Sequence, residues 1–330
     1  MIERNANLMA GSNVRIREVG LRDGLQIVKT FLPTVKKIQW IDRCVAAGFK
    51  QMEVCSFVPE KYIAQFRDAG EVTAYAAAMP GLTAAALVPN VHGARRALAA
   101  GAHKLVCLTS ATESFSRANL RRSKAESLEE IKKIIQLRDD VGKDGARTTI
   151  QVGISVAFGC PFEGRISDRD VIKSAVAAAE MGAEEISLAD TAGQGDPGQV
   201  RSLFRALARE LGHVRLEAHF HNTRGMGLAN VLAALDEGVR GFDSAVAGLG
   251  GCPNSPGASG NIPTEDLVFM LEAMGLSTGI DIQQVLDLRQ FVADQLPTVT
   301  LFGHIGAVGV PMGFKIARKT EVANEPGAAS

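Results

Sequence analysis

Short apolar runs rich in β-branched residues recur along the chain, and between them apolar residues are spaced as on one face of a helix. The first run starts near residue 14 and the eighth near residue 242, which gives a repeat of about 33 residues, the length of a strand, a loop and a helix. The predicted strands are Val14–Val19, Gln51–Phe57, Ala85–Val88, Lys104–Leu108, Thr149–Val156, Glu185–Leu188, Arg215–His221 and Phe242–Val246.

Six of the intervening segments are predicted to be helices, because apolar residues return every three or four positions and a glycine often follows. Segment Ser127–Val141 opens with Ser-x-x-Glu, the pattern of a capping box. Helices continue after the last strand, although no element is assigned to the glycine-rich stretch Leu301–Phe314. The predicted helices are Thr34–Ala47, Val91–Ala100, Ser127–Val141, Asp168–Met181, Pro197–Leu211 and Gly227–Asp236.

Eight strand–helix repeats without a Pro- or Ser-rich linker predict an α/β protein that is a single (β/α)8 TIM barrel with extra C-terminal helices. A doubly wound open sheet is the alternative. The barrel is expected to span residues 14–320, between a flexible N-terminal segment (residues 1–13) and a disordered tail (residues 321–330).

Composition narrows the classes of function. The 36 Lys and Arg balance the 36 Asp and Glu, which argues against a general basic surface for nucleic acid or membranes. No apolar run is long enough to cross a membrane, and the first residues lack the apolar core of a signal peptide, so we expect a cytoplasmic protein. The five cysteines are an odd number without a CxxC pair, which disfavours disulfides and a zinc ribbon.

In a TIM barrel, catalytic side chains gather at the C-terminal ends of the strands. The polar residues that stand out in this chain follow that rule. They are Arg22, Asp23 and Gln26 after the first strand, Glu53 and Ser56 on the second, Asp190 and Thr191 after the sixth, His219 and His221 on the seventh, and Cys252 and Asn261 after the eighth.

A metal site is predicted at the seventh strand. His219 and His221 are two positions apart, so their imidazoles share one face and can bind one ion. Asp23 would add a carboxylate oxygen and Asn261 an amide oxygen. Two nitrogens and two oxygens with open positions favour Mg²⁺ or Mn²⁺ over a structural zinc, although Zn²⁺ and Co²⁺ remain compatible with these ligands.

Three further side chains each allow two interpretations. Arg22 could stabilise a developing oxyanion, or form a structural ion pair with Glu53 or Glu18. Glu53 lies on an apolar strand and therefore needs a partner such as Arg22 or a metal-bound group. Cys252 lies in a glycine-rich loop, where its thiol could donate a proton or be a small buried apolar group.

Six segments carry a resemblance to a known family. They read GLRDGLQ, FVPEKY, GCPFEGRIS, SLADTAGQGDP, HFHNTRG and GLGGCPNSPGASGNIPTEDLVFMLEAMG. Together they resemble the 3-hydroxy-3-methylglutaryl-CoA lyase family of the DRE-TIM metallolyases, from about Val14 to Gly275. The loop Gly248–Asn261 is the most specific piece, because it separates the lyases from the Claisen-type synthases of that superfamily.

The resemblance implies an enzyme with a divalent metal cofactor that splits a 3-hydroxyacyl-CoA, foremost 3-hydroxy-3-methylglutaryl-CoA, into acetyl-CoA and a keto acid. It implies four metal ligands, namely Asp23, His219, His221 and Asn261. It also implies that Arg22 faces the thioester oxygen, that Cys252 protonates the departing enolate, that His219 takes part in catalysis, and that Lys29 grips a CoA phosphate.

Other residues are predicted to assist at this site. Glu53 and Asp190 are expected to support catalysis, with Asp190, His219 or a metal-linked water as the base. The run Arg121–Lys124 could bind phosphates or be a solvated face. Residues expected to line the cofactor site are Gln26, Ser56 and Thr191.

Two departures from the family pattern leave the acyl group open. Asn222-Thr223-Arg224 replaces Asp-Thr-Tyr, and the segment after the sixth strand carries unusual residues at four positions, Ala189, Ala192, Gln194 and Asp196. Arg224 could add a second cation to the site or point outward.

Three alternative functions stay open. They are a lyase for a thioester such as citramalyl-CoA, a CoA-independent 4-hydroxy-2-oxo acid aldolase, and a non-catalytic metal-binding barrel. The expected partner is an acyl-CoA, with no nucleic acid or membrane, in a homo-oligomer (dimer or tetramer).

Overall fold

Eight parallel strands close into a barrel in chain order, with β8 paired to β1. The protein is represented by a computed structural model that describes residues 13–141, 147–251 and 260–317. Closure of the sheet confirms the predicted TIM barrel and excludes the doubly wound alternative. The strands are β1 (Arg15–Glu18), β2 (Gln51–Ser56), β3 (Thr83–Leu87), β4 (Lys104–Ser110), β5 (Thr149–Ser155), β6 (Glu185–Asp190), β7 (Arg215–Phe220) and β8 (Gly241–Ser244).

Helices surround the barrel, and all six predicted ones are present. Helix α2 was not predicted, because its segment AGEVTAYAA is rich in alanine and shows little apolar contrast. The helices are α1 (Thr34–Ala46), α2 (Ala69–Ala77), α3 (Val91–Ala99), α4 (Lys124–Val141), α5 (Asp168–Glu180), α6 (Pro197–Glu210), α7 (Gly227–Asp236), α8 (Thr264–Ala273), α9 (Ile282–Gln295) and α10 (Ile305–Val308), with a short turn of helix at Glu113–Phe115.

The start of α4 corrects the predicted capping box. The hydrogen bonds of a box join Ser123 and Glu126, because the Ser123 hydroxyl accepts from the Glu126 N–H at 3.1 Å and the Glu126 carboxylate accepts from the Ser123 N–H at 2.7 Å. Ser127 lies within the helix and donates its hydroxyl to the Ser123 carbonyl. The chain has two consecutive Ser-x-x-Glu patterns, residues 123–126 and 127–130, and only contacts decide which one caps the helix.

The strands are apolar on their outer faces and polar inside. On β5, Ile150, Val152 and Ile154 are fully buried beneath the helices, while the alternate residue Gln151 points across the barrel and accepts a hydrogen bond from Arg17 on β1. Two ion pairs are buried in the interior, Arg17–Asp243 at 2.7 Å and Lys104–Glu185 at 2.6 Å. Two arginines that are partly open to solvent reach buried carboxylates from outside, in the pairs Arg215–Glu185 at 2.6 Å and Arg15–Glu217 at 3.0 Å. The barrel centre therefore contains paired charges, unlike the usual branched aliphatic layers.

The glycine-rich stretch after α9 is held by acidic residues of α8. Asp266 accepts hydrogen bonds from the backbone N–H groups of His304 and Ile305, at 2.9 and 2.8 Å. Glu265 pairs with Arg289 at 2.5 Å. These contacts explain why the segment folds although its sequence shows no clear periodicity.

The outer limits of the predicted domain stay a prediction. Asn13, at the end of the predicted flexible segment, forms a bridge with Ser277, while residues 1–12 and the predicted tail 321–330 lie outside the described residues. In the described part of the chain, no helix combines the length and the apolar character that a membrane span requires.

Glu18 makes stability depend on pH. Its buried carboxylate accepts hydrogen bonds from Gly20 N–H, Val246 N–H and the Thr264 hydroxyl. Burial outweighs these bonds and raises its pKa from 4.5 to about 7. Folding therefore favours the neutral form of the Glu18 carboxyl. The contribution of this group to the free energy of unfolding is complete below pH 4.5 and is lost as the pH rises through 7. The total loss is up to about 3 kcal/mol.

We expect Glu18→Gln to keep the three hydrogen bonds and to remove this loss. The variant should match the wild type in urea denaturation near pH 4.5 and be more stable at pH 8. The exposed Glu60→Gln serves as the control. Equal free energies of unfolding for Glu18→Gln and the wild type at pH 8 would contradict the assignment.

Candidate active site

A cavity of about 780 Å³ opens at the C-terminal ends of the strands. This volume lies within the range of about 300–1,000 Å³ typical of small-molecule sites. Polar groups from several strands converge on it, as expected at this face of a TIM barrel. The predicted site residues that line the cavity are Arg22, Asp23, Gln26, Ser56, Thr191, His219 and His221.

Asp23, His219 and His221 form a buried cluster of potential metal ligands. Each offers one ligand atom, and these atoms all lie within 4.8 Å of one another. The two Nε2 atoms of the imidazoles are 3.1 Å apart, and Asp23 Oδ2 is 3.4 Å from His221 Nε2 and 4.0 Å from His219 Nε2. Ligands at about 2.1 Å from one ion have separations of this size. The predicted triad therefore fits a metal ion.

The Asp23 carboxylate is held in its charged form. Burial by itself would raise its pKa, but the charge of Arg22 and the hydrogen bond from His221 outweigh burial and hold the pKa well below its usual range. A metal ion requires deprotonated ligands. Asp23 is thus ready to bind a cation at neutral pH.

Asn261 lies beside the triad, in a bridge with His221. Its amide nitrogen donates to Asp23 Oδ2 at 2.7 Å and to the Leu249 carbonyl at 3.0 Å. Its Oδ1 is buried without a hydrogen-bond partner. A half-turn of the amide would exchange the two atoms and turn Oδ1 toward Asp23, so the fourth predicted ligand is within reach of the same ion.

Arg22 connects the triad to Glu53. Its guanidinium contacts Asp23 Oδ1 at 2.5 Å and Glu53 Oε2 at 2.8 Å. Glu53 is fully buried, so the partner that the sequence analysis required for it is Arg22. The Arg22 Nε–H is buried and has no hydrogen-bond partner. The guanidinium as a whole forms part of the cavity wall, where it can meet an oxygen atom of a bound molecule.

Three other predicted residues support the wall of the cavity. Gln26 donates to Asp23 Oδ1 at 2.9 Å and to the Gly251 carbonyl at 3.3 Å, so it ties the ligand to the loop after β8. Thr191 accepts from the N–H of Val156 at 3.0 Å. Val156 has a positive φ of 52°, which is rare for a β-branched residue and is typical of strained loops at functional sites. Ser56 accepts from the N–H of Val58 at 3.2 Å.

Two other predicted site residues lie away from the cavity wall, and a third lies outside the described residues. Asp190 is not among the described residues that line the cavity, and its carboxylate accepts the N–H groups of Gln194 and Gly195, at 2.8 and 3.0 Å. Lys29 is exposed and also lies off the cavity wall. Cys252 is outside the described residues, in the gap 252–259.

The two departures from the family pattern contact each other. Arg224 donates two hydrogen bonds, both of 2.9 Å, to the carbonyls of Ala192 and Gly193. Its side chain is exposed and is not among the described residues of the cavity wall. Asp196 accepts from the N–H groups of Gly198 and Gln199 and so caps α6. Both departures therefore brace the loop after β6.

Sequence reasoning missed two features of the site. Asp243 on β8 is buried and accepts a hydrogen bond from His219 Nδ1 at 3.0 Å. It is a carboxylate on an otherwise apolar strand, which is the signal that identified Glu53. The second missed feature is the contact of Lys61 and Tyr62 with a predicted candidate: at the cavity wall, Arg121 of the run Arg121–Lys124 lies 4.4 Å from the ring centre of Tyr62, next to Lys61. These residues come from different loops, so no sequence motif joins them.

The fold and the site together define a class of protein: a (β/α)8 barrel with a buried cluster of potential metal ligands and an arginine at the mouth of the barrel. The chain belongs to the HMGL-like family, whose model matches residues 13–292. This match confirms the resemblance found in the sequence motifs.

Relatives and solved structures agree with the family model. The chain is 41% identical to the human mitochondrial hydroxymethylglutaryl-CoA lyase over 86% of either chain. The crystal structure of a Bacillus subtilis HMG-CoA lyase matches with a TM-score of 0.85 and 36% identity, over 90% of this chain and 98% of the other. An HMG-CoA lyase from Acinetobacter baumannii, in complex with coenzyme A and 3-methylmalate, matches with a TM-score of 0.84 and 38% identity, over 92% and 97%.

Proposed function

We propose that the protein is a divalent-metal-dependent carbon–carbon lyase that cleaves 3-hydroxy-3-methylglutaryl-CoA to acetyl-CoA and acetoacetate. The observation that carries this proposal is a buried arginine on the cavity wall beside the Asp23–His219–His221 cluster. The chain's membership of a family whose relatives are hydroxymethylglutaryl-CoA lyases supports the same conclusion.

The reaction breaks the bond between C2 and C3 of the acyl group. The tertiary hydroxyl loses its proton and becomes the ketone of acetoacetate. The electron pair of the broken bond moves onto C2 and the thioester oxygen as an enolate, and a proton on C2 completes acetyl-CoA. The site must therefore stabilise negative charge at one oxygen and deliver one proton to carbon.

Arg22 is proposed to stabilise the enolate. Glu53 and Asp23 hold its guanidinium from two sides on the wall of the cavity in which the thioester oxygen would lie. Because the group is buried, a charge that develops beside it is stabilised more strongly than in water.

Asp23, His219, His221 and Asn261 would hold the metal ion, which we propose to be Mg²⁺ or Mn²⁺. When bound, the ion supplies Lewis-acid chemistry at the substrate hydroxyl and carboxylate. His221 and Asn261 are neighbours across one bridge, and Gln26 fixes the Asp23 carboxylate. The ligands are therefore held in position by contacts of the chain itself.

Proton transfer needs a donor to the enolate and a base for the substrate hydroxyl. Cys252 remains the proposed donor to the enolate, on the basis of the family resemblance. Asp190 is disfavoured among the candidate bases, since each of its carboxylate oxygens already accepts a backbone N–H.

The nucleotide part of CoA is proposed to bind where Lys61, Tyr62, Arg121 and Arg122 meet on the cavity wall. Three cations suit the phosphates, and the Tyr62 ring offers a stacking surface. Lys29, implied by the resemblance, stays a second candidate for a phosphate contact.

Substrate screening tests the proposal. The purified protein, stripped of metal and reloaded with Mg²⁺ or Mn²⁺, should release acetyl-CoA and acetoacetate from 3-hydroxy-3-methylglutaryl-CoA. Citramalyl-CoA and a 4-hydroxy-2-oxo acid are the comparison substrates. Cleavage of the oxo acid with no cleavage of either thioester would overturn the proposal in favour of an aldolase.

Removing the proposed phosphate contact should affect binding alone. We expect Arg121→Ala to raise KM for the thioester about tenfold with little change in kcat, the cost of one charge-assisted hydrogen bond at a solvated site. The matched control is Arg117→Ala, since Arg117 is exposed in the same segment and pairs with Glu113. A fall in kcat at constant KM would contradict the assignment, and Lys29→Ala tests the second candidate in the same assay.

The location and assembly of the protein also stay predictions. We propose a cytoplasmic homo-oligomer, a dimer or tetramer, with the barrel domain at residues 14–320. Fractionation of cells and light scattering of the purified protein test these two points.

A further inference from the structure

Beneath the metal ligands, a chain of hydrogen bonds runs from Arg17 through Asp243 to His219. Arg17 Nε donates to Asp243 Oδ1 at 2.8 Å, and Arg17 Nη2 donates to Asp243 Oδ2 at 2.7 Å. Asp243 Oδ2 also lies 3.0 Å from His219 Nδ1. All three side chains are less than a tenth exposed. A guanidinium fork thus holds both oxygens of the carboxylate that contacts the histidine.

The register of the barrel builds this chain. Arg17 on β1 is the partner of Asp243 on β8, and Asp243 is the partner of His219 on β7. The three residues therefore stand side by side at one level of the wall. Gln151 accepts a further hydrogen bond from Arg17 Nη1 across the barrel. The Arg17 guanidinium is therefore held in place by Asp243 on one side and by Gln151 on the other.

We propose that Arg17 and Asp243 are positioning residues for His219, which rests on the proposed metal site. Asp243 accepts the Nδ1–H, so the free lone pair is on Nε2, which faces His221 and Asp23. Arg17 prevents rotation of the Asp243 carboxylate, because a bidentate fork allows only one orientation. Neither residue needs to touch the substrate to set the affinity for the metal.

A buried ion pair could instead support the fold alone, and the barrel offers a matched comparison. Lys104 and Glu185 form another buried pair in the interior, at 2.6 Å. Lys104 donates its hydrogen bonds to Glu185 and Gln51, which lie apart from the contact of Asp243 with His219. Disruption of that pair should lower stability without a change at the metal site.

The test measures Mn²⁺ affinity by calorimetry on full-length protein stripped of metal, with thermal denaturation of each variant. We expect Asp243→Asn and Arg17→Met to weaken Mn²⁺ binding by about 10- to 100-fold, the range for outer partners of metal-binding histidines. Arg17→Lys should restore binding in part, because it keeps the charge and loses the fork. Lys104→Met should lower the Tm and leave the Mn²⁺ affinity unchanged.

A second readout needs no metal. In ¹⁵N spectra, His219 should be protonated at Nδ1 in the wild type and should show a mixture of tautomers in Asp243→Asn. Wild-type Mn²⁺ affinity and an unchanged His219 spectrum in both Asp243→Asn and Arg17→Lys would overturn the positioning role. A wild-type protein that binds no Mn²⁺ would count against the proposed metal site, whereas the His219 spectrum would still report on the positioning contact.

Discussion

Replacement of His221 by alanine is expected to abolish tight metal binding and, with it, turnover. His221 Nε2 lies 3.1 Å from His219 Nε2 and 3.4 Å from Asp23 Oδ2, so its removal leaves the cluster without its central nitrogen. The affinity for Mn²⁺ should fall by more than the roughly 100-fold that loss of an outer partner costs. Elemental analysis and calorimetry on the dialysed protein measure the effect.

The control for this variant is His92→Ala, which removes an exposed histidine at the start of α3. It should retain both metal and activity. Unchanged metal content in His221→Ala would contradict the ligand assignment, whatever happens to the rate.

Replacement of Arg22 by methionine is expected to lower kcat by about 100- to 1,000-fold, the usual cost of one donor that stabilises a developing oxyanion. KM should change much less, because the charge on the thioester oxygen is largest in the transition state. Steady-state kinetics with 3-hydroxy-3-methylglutaryl-CoA measure both constants.

Loss of Arg22 also leaves Glu53 buried without its partner, which can destabilise the fold by about 3–5 kcal/mol. The double variant Arg22→Met/Glu53→Gln removes both charges and should regain stability without regaining activity. Arg22→Lys keeps the charge without the planar fork and should be intermediate. A kcat near that of the wild type in the double variant would refute the role of Arg22.

The fold was predictable from the sequence because a barrel repeats one local pattern. Most helices end near a glycine, and each strand is apolar on the face that the helices cover. The segment of α2 was not predicted, since its small residues and alanines give it no clear apolar face. The cap of α4 was predicted at Ser127 but is formed by Ser123, because both serines begin the same motif and only Ser123 forms the hydrogen bonds.

The residues that face the cavity were partly predictable, because motifs near strand ends mark them. His219 and His221 are two positions apart, and Arg22 and Asp23 are adjacent. Their short spacing along the chain was enough to predict that they act at one site. Two further residues of the cavity wall, Arg17 and Asp243, were not found. Asp243 is joined to His219 and Arg17 only through strand pairing, and the relevant separations are 24 and 226 positions.

By itself, then, the sequence determined the eightfold repeat, the family and the ligand types, since each of these is a property of local spacing or of residue chemistry. Only the tertiary structure decided which polar side chains meet. Closure of the barrel brings β8 beside β1, and that one contact turns Arg17 and Asp243 into neighbours and sets Asn261 against Asp23. Such partners depend on register and curvature, which act over the whole sheet and leave no mark on any short stretch of chain.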